Sequence, residues 1–225
     1  MIDDLDRVWA ERASKRAFRP EPLPRERLVA LFAAAQRAPS WCNIQPWRVV
    51  VTSPPKTGEL AAALVTAARS GFPAAEVPFP LDYPTPYKEH RVACGVALYQ
   101  AMGVTRDDKA GRYDAWLRNY ALFDAPHVAI VACDRRLGPY AYVDVGVWLG
   151  YLLTAAAALG IDTCPMASVA AYPQPLREHL PISASDVILF GLALGHADGG
   201  APANACRTHR DPVDTNVTFV PSIAA

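Results

Sequence analysis

Two guanidinium groups and a hydroxyl alternate along a short N-terminal segment, and this combination could bind a phosphate. Arg12, Ser14 and Arg16 are each separated by one residue. An extended backbone would therefore place all three side chains on one side. Arginine offers a planar fork of donors that suits phosphate, and serine adds a short donor. Taken alone, the segment is explained more simply as a solvated helix end with scattered charges.

A loop between a predicted helix and a predicted strand concentrates amide and indole side chains. Ser40, Asn43 and Gln45 lie in this loop with Trp41, and Trp47 follows at the start of the strand. Amides can donate to and accept from the edge of a heteroaromatic ring, and an indole provides area for stacking. Next to the strand, Trp47 is interpreted as a core residue. For the three polar residues, a capping turn and a binding loop both remain open.

Two later segments are further candidates for a binding site. Small residues in Thr163–Ser168 would let a ligand approach the backbone closely. Near the C-terminus, Asn204, Arg207 and Arg210 place an amide and two cations in a polar stretch. Together with the N-terminal arginines, these residues suggest a ligand that carries an anionic group.

The motifs of several common sites are missing. The sequence has no GxGxxG, GxxxxGK[ST], HExxH or GxSxG pattern, so the usual dinucleotide, P-loop, metalloprotease and hydrolase signatures are not met. The five histidines show no metal-ligand spacing, and we predict no metal site. The five cysteines are far apart and include no CxxC pair. This usage favours free thiols and a cytoplasmic protein.

Composition excludes further classes of protein. The 225 residues contain 22 Lys+Arg and 22 Asp+Glu, a balance that argues against nucleic-acid binding by bulk charge and against attachment to anionic membranes. With 52% hydrophobic residues the chain can bury a core, and we predict one domain over residues 1–225. The apolar run Val145–Ile161 is short for a membrane span, and the N-terminus does not resemble a signal peptide.

Helices alternate with a few strands along the chain. Apolar periodicity and Gly/Pro punctuation predict a helix from Pro24, a helix capped by Thr57 that ends near Gly71, and helices over Tyr87–Met102, Arg106–Leu117 and Asp144–Gly160. β-branched runs predict strands at Trp47–Thr52, Pro126–Cys133, Asp186–Gly195 and Asn216–Val220. Between them, Gly71–Pro86 is a proline-rich excursion of the kind that often shapes a binding site. This order of elements indicates an α/β or α+β three-layer core.

Several segments, taken in order, resemble the FMN-dependent nitroreductase family. They are RASKRAF, APSWCNIQPWRV, HRVACGVALYQAMGVTRDD with RNYALFDAPHVAIV, YVDVGVWLGYLLTAAAALGIDTCPMAS, and VILFGLALGHAD followed by NACRTHRDPVD. The resemblance covers about residues 10 to 220. Each motif is weak alone, but their common order is specific. In the long helix, Gly150 stands where many relatives carry Gln, so one amide near the flavin or the substrate is missing.

The resemblance implies a set of FMN-binding residues in three regions. The N- and C-terminal arginines would hold the phosphate, the loop 39–45 would reach the flavin from the other subunit, and the backbone of 165–168 would donate near N5 and O4. The implied residues are Arg12, Ala13, Ser14, Arg16, Pro39, Ser40, Trp41, Asn43, Gln45, Pro165, Met166, Ala167, Ser168, Arg207 and Arg210. No side chain is assigned as a catalytic acid or base.

The resemblance also implies a fold, an assembly and a reaction. The fold would be α+β, a three-layer α-β-α arrangement with a central mixed sheet wrapped by helices. Two chains would form an interlocked homodimer, with residues 211–225 extending onto the partner. NAD(P)H would reduce FMN, which would then reduce a nitroaromatic, quinone or similar electron-poor acceptor. Alternatives are other flavin chemistry (dehalogenation, azoline oxidation or flavin fragmentation) and flavin binding without turnover.

Overall fold

The protein is described here by a computed structural model, which covers residues 2–220. This part of the chain contains eight α-helices and four β-strands. In chain order they are α1 (Ile2–Glu11), α2 (Arg25–Ala35), β1 (Arg48–Thr52), α3 (Lys56–Ser70), α4 (Tyr87–Ala101), α5 (Lys109–Leu117), β2 (His127–Asp134), α6 (Pro139–Ala158), β3 (Asp162–Met166), α7 (Pro173–His179), β4 (Asp186–Gly195) and α8 (Val213–Asn216). Short 3₁₀ turns join several of them.

The four strands form one sheet in the order β1-β2-β4-β3. All three neighbouring pairs run antiparallel. Outside these strands, Ser14 forms an isolated parallel bridge with Thr163 of β3. The mixed sheet that the resemblance implies is therefore antiparallel among the four strands, with parallel character only at this edge.

Alternate residues of β2 point into two separate hydrophobic clusters. Val128 and Ile130 pack in a cluster with α3 and α7, whereas Ala129 and Val131 pack in a second cluster with α2 and α6. Successive side chains of a strand leave opposite faces of the sheet, so helices cover both faces. This arrangement confirms the predicted α+β fold with three layers.

The helix α6 is central to one of these layers. Its residues Val145, Trp148 and Leu152 are fully or almost fully buried in the cluster with α2. By length and composition alone α6 could cross a membrane, but core helices of globular domains meet the same criteria. Its other side carries the exposed residues Val143 and Val147.

The structure corrects the predicted starts of two helices. The long apolar helix begins at Pro139 instead of Asp144, because Gly138 (φ +70°) supplies the turn before it and Pro139 suits a first helical position. The third helix begins at Lys56, so Thr57 is not its cap. The Thr57 hydroxyl is instead buried and pairs with the Thr52 hydroxyl at 2.8 Å.

Three other differences concern short elements. The segment after α6 forms the strand β3 in spite of Pro165, which is tolerated because β3 is an edge strand. The helix α7 was not predicted. The predicted terminal strand Asn216–Val220 is absent, since Asn216 ends α8 and residues 217–220 have no strand partner within the described chain. The last part of the segment 211–225, residues 221–225, lies outside the described residues.

One buried histidine has a structural role. The His127 Nε2 accepts a hydrogen bond from the Leu23 N–H at 2.8 Å, and its Nδ1 lies 2.9 Å from the Ser53 hydroxyl. Burial lowers the pKa of His127, although backbone hydrogen bonds to Thr52 and Leu23 act in the opposite direction. The ring therefore ties the segment before α2 to β2 as a neutral imidazole. Within residues 2–220, no group of three or more His, Cys, Asp or Glu side chains could hold a metal.

Candidate functional site

The N-terminal arginine segment lies along the edge of the sheet at β3. Ser14 bridges to Thr163, and the Lys15 N–H donates to the Thr163 carbonyl at 2.9 Å. The segment therefore pairs with the sheet edge at Ser14, whereas Arg16 lies at a bend of the backbone. Arg12 still donates its N–H to Val8 in the last turn of α1 at 3.0 Å.

Because Arg12 still bonds to the last turn of α1, the side chains of Arg12 and Arg16 do not face the same side. Arg12 lines a cavity of about 150 Å³ together with Thr163 and Gly160. Arg16 lines a different cavity of about 380 Å³ with Phe18 and Arg118. Simple alternation, which requires an extended chain at all three positions, thus does not hold for Arg12. The two arginines flank the Ser14 bridge.

A buried thiol lies under this bridge. Burial raises the pKa of Cys164 to about 11, even though the charge of Arg16 and a hydrogen bond with Ser14 favour the thiolate. Cys164 consequently stays protonated at neutral pH and is not a nucleophile. Its side chain packs in the hydrophobic cluster that contains α3 and α7.

Asn204 joins the arginine segment to the C-terminal polar stretch. Its Oδ1 accepts the Arg16 N–H at 2.7 Å, and its Nδ2 donates to the Ala17 carbonyl at 2.8 Å. The Asn204 carbonyl in turn accepts from Arg207 Nη1 at 2.9 Å. A single buried amide therefore brings Arg207 to the same side of the molecule as Arg16.

The second C-terminal arginine is not joined to this network. Arg210 is exposed, and its Nη1 donates to the Thr208 hydroxyl and the His209 carbonyl, both at 2.8 Å. The next residue, Asp211, lies 3.2 Å from His90 Nε2 and so links this segment to α4. Among residues 2–220, none of the four predicted phosphate-binding arginines forms an ion pair; they are Arg12, Arg16, Arg207 and Arg210.

The predicted backbone-donor segment continues directly from β3. Pro165 and Met166 end the strand, and Ala167 and Ser168 begin a 3₁₀ turn. The Ser168 hydroxyl donates to Asn119 Oδ1 at 3.4 Å. Because Ser14 pairs with Thr163 of the same strand, this segment and the arginines share one edge of the sheet.

The loop 39–45 adopts a strained backbone. Cys42, Asn43 and Gln45 have φ values of 48°, 54° and 47°, which non-glycine residues rarely adopt, and each such residue costs of order 1–3 kcal/mol. The Ser40 hydroxyl accepts the Gln45 N–H at 3.0 Å and so closes the loop. Such strain persists only where surrounding contacts enforce it, and it is concentrated at functional sites.

Contacts with the first turns of α6 and with the core hold this loop. The Trp41 N–H donates to Asp144 Oδ1 at 3.1 Å, and its indole meets the Tyr140 ring at 5.9 Å. On the core side, Trp47 stacks on Trp148 with ring centroids 6.1 Å apart. Trp47 is therefore the core residue that the sequence predicts, whereas Trp41 is exposed.

The loop and the arginine segment lie at opposite ends of α6. The loop is bound at Asp144, while Ala157 lines the cavity that Arg12 borders. At a rise of about 1.5 Å per residue, these two points of the helix are roughly 20 Å apart. Within one chain, the structure thus brings together the residues at β3 but not the loop.

Comparison with known proteins identifies the family. Residues 9–196 match the family described as "Nitroreductase family". The chain belongs to the nitroreductase family. It is 34% identical to 4-nitrobenzoate reductase of Pseudomonas putida, over 94% of this chain and 93% of that protein. It is 31% identical to nitroreductase NfnB of Mycolicibacterium smegmatis, over 95% of this chain and 92% of that one.

Solved structures of nitroreductases have the same fold. The FMN-dependent nitroreductase NfnB from Mycobacterium smegmatis, solved in complex with NADPH, matches with a TM-score of 0.93 and 30% identity, over 98% of this chain and 100% of that chain. The FMN- and NADPH-dependent NfnB from Sphigopyxis sp. strain HMH gives a TM-score of 0.91 and 32% identity, over 97% of this chain and 99% of that chain. The predicted family and fold are confirmed.

Sequence reasoning did not assign three residues that the structure brings into this region. Asn119 contacts Ser168, and the RNY motif that contains it was the available signal. For Asn204, the sequence indicates only a place in a polar stretch. For Asp144, the sequence predicts the start of a helix, and nothing in it indicates the bond to Trp41, which is 103 residues away.

Proposed function

We propose that this protein is an FMN-dependent oxidoreductase that uses NAD(P)H to reduce nitroaromatic, quinone or similar electron-poor acceptors. The observation that carries the proposal is the hydrogen-bonded joining of the arginine segment to β3 and, through Asn204, to Arg207. This network gathers phosphate-binding cations next to a strand end that can offer backbone donors. The relatives named above are nitroreductases, and several of the solved structures are FMN-dependent.

The residues fit a flavin mononucleotide. A phosphate near −2 needs two or more cationic partners, and Arg12, Arg16 and Arg207 have no carboxylate partner within residues 2–220. The hydroxyl of Ser14 and the backbone of Pro165–Ser168 supply neutral donors and acceptors for the rest of the cofactor. In the loop, Asn43 and Gln45 offer amides for the edge of a flavin ring.

The site would be completed by a second copy of the chain. The loop lies roughly 20 Å along α6 from the cavity beside Arg12, so one chain cannot place both groups on one FMN. The exposed side of α6 carries Val143, Val147 and Tyr151, with Gly146 and Gly150 between them. Small residues allow a close approach of two backbones. Two α6 helices packed antiparallel about a two-fold axis would bring each loop to the partner's arginines.

The C-terminal segment fits the same assembly. Val213, Phe219 and Val220 are 64%, 78% and 86% exposed in the single chain. Exposed apolar side chains in a row favour burial against another surface. We propose that residues 211–225 extend onto the partner, and that residues 1–225 form one FMN-binding domain.

The chain's own residues would bind the cofactor, orient it and exclude water from the site. Bound FMN would supply hydride-transfer chemistry through its N5, between NAD(P)H and the acceptor, in a ping-pong cycle. Arg12, Arg16, Arg207 and Arg210 would bind the phosphate. The partner's Trp41 would provide apolar area beside the ring. No side chain is assigned as a general acid or base.

The acceptor and the compartment are inferred separately. Two similar relatives are 4-nitrobenzoate reductases, from Pseudomonas putida and from Nocardioides sp., so nitrobenzoates are the first acceptors to test. All five cysteines are free, which favours the cytosol.

A direct test uses the purified chain without reconstitution. We expect a yellow dimer of twice the 24.3 kDa chain mass that releases about one FMN per chain on denaturation. It should oxidise NADPH or NADH when 4-nitrobenzoate is added. Release of FAD, failure to bind added FMN, or a flavin-loaded monomer by light scattering would contradict the proposal.

A further inference from the structure

Asp144 is a buried carboxylate with an incomplete set of partners. Its residue is 8% exposed, and its Oδ1 accepts the Trp41 N–H. Its Oδ2 has no hydrogen-bond partner among the described residues, and neither has the Nε1 of the buried Trp148 one helical turn later. No Lys, Arg or His forms an ion pair with Asp144 within residues 2–220.

Stability alone does not account for a carboxylate in this place. Burying a charge without a counter-ion is costly, and a buried polar atom without a partner adds to that cost. The one hydrogen bond that Asp144 makes goes to the first residue of the strained turn Trp41–Asn43. The buried carboxyl group therefore serves the loop.

The hydrogen bond from the Trp41 N–H to Asp144 joins the loop 39–45 to α6. The loop's own bonds, Asn43 N–H to Ser40 carbonyl and Gln45 N–H to Ser40 hydroxyl, are both 3.0 Å long and close it on itself. They do not fix it to the rest of the molecule. The Trp41 N–H is the backbone donor that does so, and the ring contact with Tyr140 comes from the same end of α6.

We propose that Asp144 is a positioning residue that holds the loop 39–45 in its left-handed conformation. This inference rests on the proposed function: the restrained loop would hold Asn43 and Gln45 in position to contact the FMN of the partner. Asp144 does not itself touch the cofactor, because it is buried beneath Trp41. The carboxylate is suited to this task since a hydrogen bond to a charged acceptor is stronger than one to a neutral acceptor.

The test compares Asp144→Ala with Asp144→Asn in the full-length chain without FMN. Amide hydrogen exchange is measured on a peptide covering residues 40–46. We expect exchange to be about fivefold faster or more in Asp144→Ala, which removes the acceptor. In Asp144→Asn, which keeps an acceptor oxygen but loses the charge, the exchange rate should lie between that of the parent and that of Asp144→Ala. Asp108→Ala is the matched control, because Asp108 also accepts a backbone N–H, from Gly111 at 2.8 Å.

The melting temperature separates this role from a general structural one. Asp144→Ala should melt at or above the parent temperature, because it removes an unpaired buried oxygen. Unchanged exchange in Asp144→Ala would overturn the proposal, as would equal acceleration in Asp144→Asn or Asp108→Ala. If Asp144→Ala does not fold, Asp144→Ser, with a shorter side chain, is compared with Asp144→Asn in the same way.

FMN titration then distinguishes the two proposals. If the loop lies at the flavin, Asp144→Ala and Asn43→Ala should both raise the FMN dissociation constant by about fivefold or more. Faster loop exchange with unchanged FMN affinity in both variants would support the positioning role of Asp144. It would contradict the placement of this loop at the cofactor.

Discussion

At the scale of single residues, the uncompensated arginines are the feature that points to an anionic ligand. Arg12 and Arg16 flank the Ser14 bridge on the edge of the sheet, and Arg207 reaches the same side through Asn204. Elsewhere in the described chain, Arg135 and Arg177 are paired with Glu76, but exposed arginines such as Arg25 form no ion pair either. The gathering of Arg12, Arg16 and Arg207 at one place is therefore what points to an anionic ligand. A bound phosphate would neutralise the positive charge of Arg12, Arg16 and Arg207.

Replacing Arg12 or Arg210 by Ala should weaken FMN binding with little change in fold. Each charge-assisted contact to the phosphate contributes about 1.5–3 kcal/mol. We therefore expect the FMN dissociation constant to rise by about tenfold to hundredfold. The loss should be smaller for riboflavin, which has no phosphate. Titration of both flavins into the apo variants measures this, with exposed Arg25→Ala as control.

The same titration can contradict the assignment of these arginines. Equal losses for FMN and riboflavin would mean that neither arginine holds the phosphate. Arg210 is the sharper case, since its guanidinium is bonded only to Thr208 and His209 in the structure. A change below about twofold at Arg210 would identify it as a surface charge.

At the scale of elements, Glu76 fastens the Gly71–Pro86 excursion to the sheet layer. Its carboxylate accepts from Arg135 at 2.6 Å, from Arg177 at 2.8 Å and from the Ile188 N–H at 3.0 Å. The Ala74 N–H also donates to Ala171, in the turn after β3, at 2.8 Å. The excursion is thereby fixed next to the turn that begins with Ala167 and Ser168.

Glu76→Gln should destabilise the protein at neutral pH and reduce its sensitivity to acid. Burial alone would raise the pKa of Glu76, but the Ile188 N–H and the two arginines lower it overall. A carboxyl with a lowered pKa stabilises the fold above its unfolded value of 4.5, and this stability is lost as the pH falls through the folded pKa. We expect a loss of about 1–3 kcal/mol at pH 7.

Denaturant unfolding of parent and variant between pH 7 and pH 3 measures this effect. The difference between the two proteins should shrink as the pH falls below 4.5. Glu59→Gln is the control, because Glu59 is exposed and pairs only with Lys56 one turn away; about 0.5 kcal/mol or less is expected there. A pH-independent difference for Glu76→Gln would show that its charge is not what matters.

At the scale of the whole molecule, two features favour the proposed homodimer. One is the exposed apolar side of α6, and the other is the separation of the loop from the arginine segment. The stripe at Val143, Val147 and Tyr151 is 61%, 38% and 46% exposed, although this helix is otherwise the most apolar part of one core layer. An antiparallel pair of α6 helices would bury the stripe and complete the FMN site in one step.

Val143→Asp should therefore abolish both the dimer and FMN binding. A carboxylate on each side of the two-fold axis would be buried without a counter-ion, which typically costs several kcal/mol. Val29→Asp is a matched control, because Val29 is 59% exposed but lies on α2. Light scattering and the absorbance of bound flavin report the outcome. A Val143→Asp dimer that retains FMN would show that α6 is not at the interface.

The sequence by itself determined the elements whose pattern is local. The β-branched runs of β1, β2 and β4 predict those strands within one or two residues, since each is a continuous apolar stretch. The same applies to α2 and α4, where a proline sets the start. The ordered motifs determined the family, because a family keeps its motifs and their order along the whole chain.

Only the tertiary structure decided how distant segments meet. Pairing with β4 makes β3 a strand in spite of Pro165, and Ser14 bridges to the outer edge of β3. Asp144 meets Trp41 across 103 residues. Such contacts depend on the packing of α6 against α2 and the sheet, and no local periodicity encodes them. For the same reason, the distance of roughly 20 Å between the loop and the arginine segment, on which the proposed dimer rests, follows only from the folded length of α6.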